Sequence, residues 1–538
     1  MTDSPDHDVV VIGAGVSGIY QIKKLVDLGF DAVVLEADDD LGGTWYRNRY
    51  PGARFDSESY TYGYSFSKEL LNEWHWTERF SPQPENLRYL NFVADKFDLR
   101  RHMRFGCRVA SLRWDEAARL WHLDLDGGET LTARYVVTGV GVLSMPTLPS
   151  YPGMDDFAGP SFHTYWWPTE PLDLTGKRVG VVGTGATGIQ VIAEIADKVG
   201  ELTVFQRRPN WSSPLNNSPI SEEEMADIRA RYDEILANCE ASPGGFEHVP
   251  DRRGFWNVSR EERVALWDRL YETPGFALLA ANFVEIFSDE ATSREISEYV
   301  ADRIRQRVKD PETAEKLIPR DHGFGIQRLP LETRYFEVYN RDNVRLVDLR
   351  ETPIERVTAT GIETSAGHHD LDVIVWATGF DAITGAFDHL DIHGTGEVTL
   401  REKWQAGPVT WHGLMTHGFP NLLFVAGPQS VSGSTNFPRA IEKAVEWVSD
   451  LLDHARTHGL TRLEVEQAAE EEWGEEVARA YDRLLLKKSK GWFTGYNSNV
   501  AGHQAGTVRH QAYFGPGPRY AAMIRKAAED GYPRLALD

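Results

Sequence analysis

The chain is poor in cysteine: Cys107 and Cys239 are its only two in 538 residues. They form no CxxC pair, which argues against a dithiol reductase and fits reduced thiols in a cytoplasmic protein. No segment approaches the ~20 consecutive apolar residues that cross a bilayer, so no membrane association is expected. The polar, acidic stretch 1–8 precedes only a short apolar run, which does not fit a secretory leader. Positive charge is also scarce. Lys and Arg number 57 against 81 Asp and Glu, a formal net charge of −24. A nucleic-acid partner needs a basic face and is disfavoured. Tandem repeats, low-complexity linkers and a recognisable metal-ligand pattern are missing as well. What remains is an ordinary globular composition, 41% apolar, in a length that suggests roughly three domains.

Two glycine-rich turns stand out. The first is Val9-Val10-Val11-Ile12-Gly13-Ala14-Gly15-Val16-Ser17-Gly18, and the second is Val179-Gly180-Val181-Val182-Gly183-Thr184-Gly185-Ala186-Thr187-Gly188. One GxGxxG is a weak signal. Two, each following a β-branched run and opening a helical pattern, point to two dinucleotides on one chain. In the first, Gly13 permits the tight turn, Gly15 lets backbone amides approach a pyrophosphate, and Gly18 allows close helix–strand packing. Glu36 ends the next strand, where a carboxylate takes ribose hydroxyls and repels a 2′-phosphate, so this unit suits FAD or NAD. In the second, Arg207 and Arg208 stand at that place instead, and a planar guanidinium suits a 2′-phosphate. This unit is therefore assigned to NADPH.

Strand character returns at Val344–Val347, Val373–Trp376 and Leu422–Ala426. Ser221–Glu224 and Ser259–Glu262 read as capping boxes that open helices. Ile296, Val300, Ile304 and Val308 repeat at helical spacing. Residues 464–489 read as charged surface helix and 491–518 as irregular loop. The expected fold is α/β, with two Rossmann-like dinucleotide-binding domains and a helical insertion. Residues 1–145 and 381–538 form the FAD-binding unit, 146–213 and 326–380 the NADP-binding unit, and 214–325 the insertion.

Between the two turns lie Phe157, Gly159, His163, Trp167 and Pro168, in the pattern F-x-G-x-x-x-H-x-x-x-W-P. The stretch Gly42-Gly43-Thr44-Trp45-Tyr46-Arg47-Asn48-Arg49-Tyr50-Pro51-Gly52-Ala53-Arg54-Phe55-Asp56 and the motif Gln327-Arg328-Leu329-Pro330 complete a set that spans nearly the whole chain. With these, the sequence resembles the type I Baeyer–Villiger monooxygenases. The resemblance implies a flavoprotein that uses NADPH and O2 to convert ketones to esters or lactones through a flavin peroxide. It implies Arg328 and Asp56 as catalytic residues. It also implies cofactor contacts from Gly13, Gly15, Ser17, Gly18, Glu36, Thr44, Trp45, Tyr46, Asp56, Tyr62, Val109, Phe437, Gly183, Thr184, Gly185, Ala186, Thr187, Gly188, Gln190, Arg207, Arg208, Gln327, Arg328 and Trp492.

His163 reads as a structural residue that fixes the linker, and Trp166 and Trp167 as packing residues. The chain departs from the pattern twice. Relatives commonly carry Trp at the place of Arg47 and Lys at the place of Gln327. That lysine is expected to help hold the 2′-phosphate, and Arg208 is the residue placed to compensate. Two other readings stay open: a flavin monooxygenase that oxidises nitrogen or sulfur, and a nucleotide-binding redox sensor without turnover.

Overall fold

A computed structural model describes residues 4–431, 435–503 and 508–538. Its larger sheet is built around His7–Ile12, which pairs in parallel with Ala32–Leu35 on one side and Thr130–Thr138 on the other, placing Val10 between Val33 and Val136. Both faces are covered, which is why Val9–Ile12 is a continuous apolar run rather than an alternating one. Met103–Arg104 extends the parallel part beyond Ala32–Leu35. On the side away from His7–Ile12, the long strand Thr130–Thr138 serves two neighbours. Its first half pairs antiparallel with Leu120–Leu125, and its last residues pair in parallel with Leu422–Phe424, which arrives from far along the chain. Val109–Asp115 and Asp391–His393 finish that edge.

The second sheet is entirely parallel, in the order Val344–Asp348, Glu201–Gln206, Arg178–Val182, Val373–Trp376, Ser161–His163. Each sheet thus draws strands from segments on both sides of residues 214–325. The mixed α/β architecture with two strand–turn–helix units is as expected. Helix Val16–Asp27 buries Ile19, Ile22 and Leu25 and ends at Gly29, whose φ is +77°.

The stretch 214–325 is helical, and its faces divide between two cores. Met225, Ile228, Tyr232 and Ile235 of helix Glu222–Ala241 pack with the first sheet's core. Leu266, Trp267, Ile296, Val300 and Ile304 join the core around Val179 and Val181. The Ser259–Glu262 capping box is complete, with both reciprocal bonds present. At Ser221 only half of the box forms. The serine accepts from the Glu224 amide, while the Glu224 carboxylate is drawn off by Arg79 at 2.7 Å.

Other differences are local. The helix after the second glycine turn is Ala186–Ile195. The charged helix is Gln467–Asp482, and an antiparallel meander over Ile354–Asp370 lies where no element is expected. Trp167 is buried, whereas Trp166 is 48% exposed and packs only one side of its ring, edge-to-face with His163 and Tyr165. The two cysteines are unpaired, and burial pushes the Cys239 thiol up to about 12, far from reactive thiolate. No helix among the described residues is long and apolar enough to cross a membrane.

Candidate functional site

At the first turn the glycines are required by contact. Gly13 has φ +102°, and a Cβ there would lie 2.6 Å from the Gly139 carbonyl oxygen. A Cβ on Gly18 would lie 1.8 Å from the Gly13 carbonyl oxygen. Gly15 caps helix Val16–Asp27 and faces Gly43, whose own Cβ would come within 2.9 Å of the Gly15 α-carbon. Two chain segments therefore meet backbone to backbone at the helix N-terminus, where anions bind. Thr44 opens the short helix that follows Gly43. Glu36 is buried beside this turn. It accepts from the Ala14 amide at 2.6 Å and the Asp38 amide at 2.9 Å. Burial raises its pKa, and the two amides act against that shift. Ser17 is buried on the same helix, and Val109 is buried at the start of its strand.

Trp45, Phe55 and Tyr62 form one aromatic group: the Trp45 indole N–H donates to the Tyr62 hydroxyl at 2.9 Å, and Phe55 stacks on Tyr62 with centroids 4.3 Å apart. Tyr46 is half-buried, with the Arg49 guanidinium 4.8 Å from its ring centroid. Arg47 is paired with Asp38. Its Nε donates to Asp38 Oδ2 at 2.8 Å, its Nη2 donates to Oδ1, and its guanidinium lies 5.5 Å from the Tyr165 ring centroid. Phe437 begins helix Phe437–His458 and is partly buried against the same core.

The second turn repeats the first, with one difference. Gly183 has φ +112°, and a Cβ there would meet the Ala377 carbonyl oxygen at 2.3 Å; at Gly188 it would meet the Gly183 oxygen at 2.2 Å. At Gly185 a Cβ would meet nothing within 4 Å. This glycine opens onto a cavity of about 280 Å³ whose wall includes Thr184, Arg207, Arg208, Gln327 and Trp492. Ala186 and Thr187 follow on the first turn of the helix. Gln190 points elsewhere: Tyr50 donates to its Oε1 at 2.9 Å, and its Nε2 donates to the Arg54 carbonyl at 3.1 Å, clamping the two units together.

The C-terminal segment closes this cavity. Arg208 Nη2 and Gln327 Nε2 both donate to the Lys490 carbonyl, at 3.0 and 3.3 Å. Arg207 donates to the Ser498 hydroxyl, and Asp321 stands 3.6 Å from Arg208. Asn497 and Asn499 donate to the carbonyls of Phe380 and Thr378 at 2.9 and 3.4 Å. His163 grips the same strand end. Its Nε2–H donates to the Gly379 carbonyl at 3.0 Å, while its Nδ1 accepts the Tyr165 amide at 3.1 Å. That pattern fixes one neutral tautomer, and burial lowers the pKa to about 4. His163 is a buried neutral brace at working pH. Sequence reasoning missed the three residues Asn497, Ser498 and Asn499; the only signal was a run of amides and a hydroxyl in a segment without hydrophobic period.

A second cavity, of about 330 Å³ and mostly apolar, lies next to the first, and Gln327 belongs to both walls. Arg328 stands on its wall. Its Nη2 donates to Asp56 Oδ2 at 2.6 Å, its Nη1 donates to the Leu329 carbonyl at 2.7 Å, and its guanidinium lies 4.9 Å from the Phe276 ring centroid. Two anchors and a ring hold a permanent cation, still about one-third exposed, at the edge of an apolar space.

Residues 6–217 match the family model described as flavin-binding monooxygenase-like. The chain is 44% identical to the 2-oxo-Δ3-4,5,5-trimethylcyclopentenylacetyl-CoA monooxygenase of Pseudomonas putida, with 99% of each chain covered. It is 42% identical to the methyl acetate-forming acetone monooxygenase of Gordonia sp. strain TY-5, covering 98% of this chain and 99% of the other. The crystal structure of OTEMO in complex with FAD and NADP superposes with a TM-score of 0.95 at 43% identity over 100% of both chains. The chain belongs to the Baeyer–Villiger monooxygenases. The chain is also 38% identical to the phenazine N-monooxygenase PhzNO1 of Lysobacter antibioticus, over 99% of this chain and 98% of that one.

Proposed function

We propose that this protein uses FAD, NADPH and O2 to insert one oxygen atom beside the carbonyl of a ketone, giving an ester or lactone, water and NADP⁺. The carrying observation is Arg328, fixed by Asp56 at the edge of an apolar cavity that shares a wall with the open dinucleotide cavity. Bound FAD supplies the oxygen-activating chemistry. The chain's own part is to bind, orient and keep water out. Backbone amides at Gly15 and Gly185 meet the diphosphates, and Glu36 takes the ribose hydroxyls of FAD. Arg207, Arg208 and Gln327 take the 2′-phosphate of NADPH, and Arg328 stabilises negative charge on the reacting oxygens. The division into FAD unit, NADP unit and insertion is part of this reading.

The phenazine relative supports nitrogen oxidation as a second reading. Product analysis by mass spectrometry over a panel of ketones, sulfides and amines, with NADPH and O2, separates the two. Esters or lactones from ketones are expected. Oxidation confined to nitrogen or sulfur would overturn the ketone reading.

Coenzyme preference tests the 2′-phosphate contacts. Gln327 shares the Lys490 carbonyl with Arg208 and carries no charge. Gln327→Lys is expected to raise the NADPH-over-NADH ratio of kcat/KM by roughly fivefold, about the 1 kcal/mol of a partly exposed ion pair. An unchanged ratio removes this position from the phosphate subsite.

A further inference from the structure

The apolar cavity beside Arg328 has one polar group on its wall that the proposed reaction does not use. Five polar side chains line it: His248, Asn282, Gln327, Arg328 and Thr435. Asn282 is spent, donating to the Leu278 carbonyl and accepting from the Trp267 indole and the Phe283 amide. The Thr435 hydroxyl donates to the Val431 carbonyl, and Gln327 is turned to Lys490. His248 differs. Its Nε2 is bound to Glu58 Oε1 at 3.1 Å, with the imidazole 14% and the carboxylate 5% exposed. Its Nδ1 has no hydrogen-bond partner among the described residues.

The placement follows from one short turn of chain. Asp56 holds Arg328, and Glu58, two residues on, holds His248. The turn is itself fixed from the other side. A Cβ on Gly275 would lie 2.8 Å from Glu58 Oε1, and Phe276, the next residue, carries the ring under Arg328. The group that positions the cation and the group that positions the imidazole are therefore one rigid unit. Glu58 fixes the tautomer as well. A carboxylate accepts the Nε2 proton, so Nδ1 carries a lone pair in the neutral ring and a proton in the charged one. A hydroxyl group satisfies either state, because it both donates and accepts. A plain hydrocarbon chain satisfies neither and leaves a polar atom unpaired in an apolar cavity, which is costly.

We infer that His248, held by Glu58, is a specificity-determining residue that binds a hydroxyl group carried by the ketone at a distance from its carbonyl. The inference rests on the Baeyer–Villiger reading of this cavity and names its substrate class: small, uncharged hydroxyketones. At about 330 Å³ the cavity is at the small end of ligand sites, which suits a molecule with one ring and a short chain.

The test compares 4-phenylbutan-2-one with its three ring-hydroxylated isomers. Binding to the oxidised holoenzyme is read from the perturbed flavin absorbance, and turnover from ester formed with NADPH. The wild type is expected to prefer at least one hydroxylated isomer by roughly fivefold, the worth of one buried hydrogen bond, with the difference in Kd and KM rather than kcat. His248→Phe is expected to abolish that preference, bringing the Kd of every hydroxylated isomer to that of 4-phenylbutan-2-one measured on the same variant. His248→Asn, which keeps a hydrogen-bonding end, is expected to retain part of it. Flavin content of each variant confirms folding. No preference in the wild type for any isomer, or an undiminished preference in His248→Phe, overturns the inference. Because binding does not require turnover, an isomer preference that His248→Phe removes would uphold His248 even if bound ketone gave no ester; that last result would count against the Baeyer–Villiger reading alone.

Discussion

Arg328→Ala is expected to bleach its flavin with NADPH at close to the wild-type rate and to form ester some 10²–10³ times more slowly, the usual cost of deleting one donor to a developing oxyanion. The two half-reactions separate because of where the guanidinium sits. It lies on the apolar cavity's wall, whereas the neighbouring cavity, to which we assign NADPH, is lined by Gly185, Arg207, Arg208 and Gln327 among others. Removing Arg328 leaves hydride delivery its own contacts and takes away the permanent cation beside the ketone. Without it, electrons taken from NADPH are expected to leave as hydrogen peroxide, so coenzyme consumption continues without product. Lysine is a poor substitute. The arginine fork reaches Asp56 with one nitrogen and the Leu329 carbonyl with another, and a single ammonium on a flexible stem cannot keep both while facing the cavity. Stopped-flow reduction, ester yield and peroxide yield, measured on one preparation, decide the matter. Ester formation by Arg328→Ala at near wild-type rate would remove Arg328 from the chemistry.

What the sequence made legible was local necessity. Gly13, Gly18, Gly183 and Gly188 could be read because each must be glycine for a reason that lies within a few residues or one strand away. The parallel strands beside them are continuous apolar runs because both faces are covered. The capping box at Ser259 could be read for the same reason, while the one at Ser221 could not be read correctly, because Arg79 competes for Glu224 from 145 residues away. The cavity walls were beyond reach. His248 and Glu58 are 190 residues apart, and Arg208 meets Lys490 across 282. No period or turn rule connects such positions: His248 comes to Glu58 from the helical stretch 214–325, and Lys490 comes to Arg208 from the C-terminal segment. Arg47 shows the limit from the other side. As a departure from the family pattern it carried no local signal of its partner, and that partner, Asp38, lies nine residues before it.

The two glycine turns give the second large effect, and they do so with opposite outcomes. Gly18→Ala sets a methyl 1.8 Å from the Gly13 carbonyl oxygen. That atom is backbone and cannot swing aside, so helix Val16–Asp27 must move off its strand, and with it the buried side chains Ile19, Ile22 and Leu25. The expected product is colourless or insoluble protein. Gly185→Ala adds the same methyl where nothing lies within 4 Å, at a residue whose φ of −78° suits alanine. The fold, the flavin and the melting temperature should be unchanged. Yet the methyl projects into the open cavity at a helix N-terminus, where a diphosphate must approach the amides closely. The Michaelis constant for NADPH is therefore expected to rise by tenfold or more, roughly the 1–3 kcal/mol of an overpacked contact, with dithionite reduction of the flavin unaffected. Flavin content and coenzyme titration of the two variants assign each turn to its nucleotide. A fully yellow Gly18→Ala protein would deny FAD the first turn, and wild-type NADPH affinity in Gly185→Ala would deny the coenzyme the second.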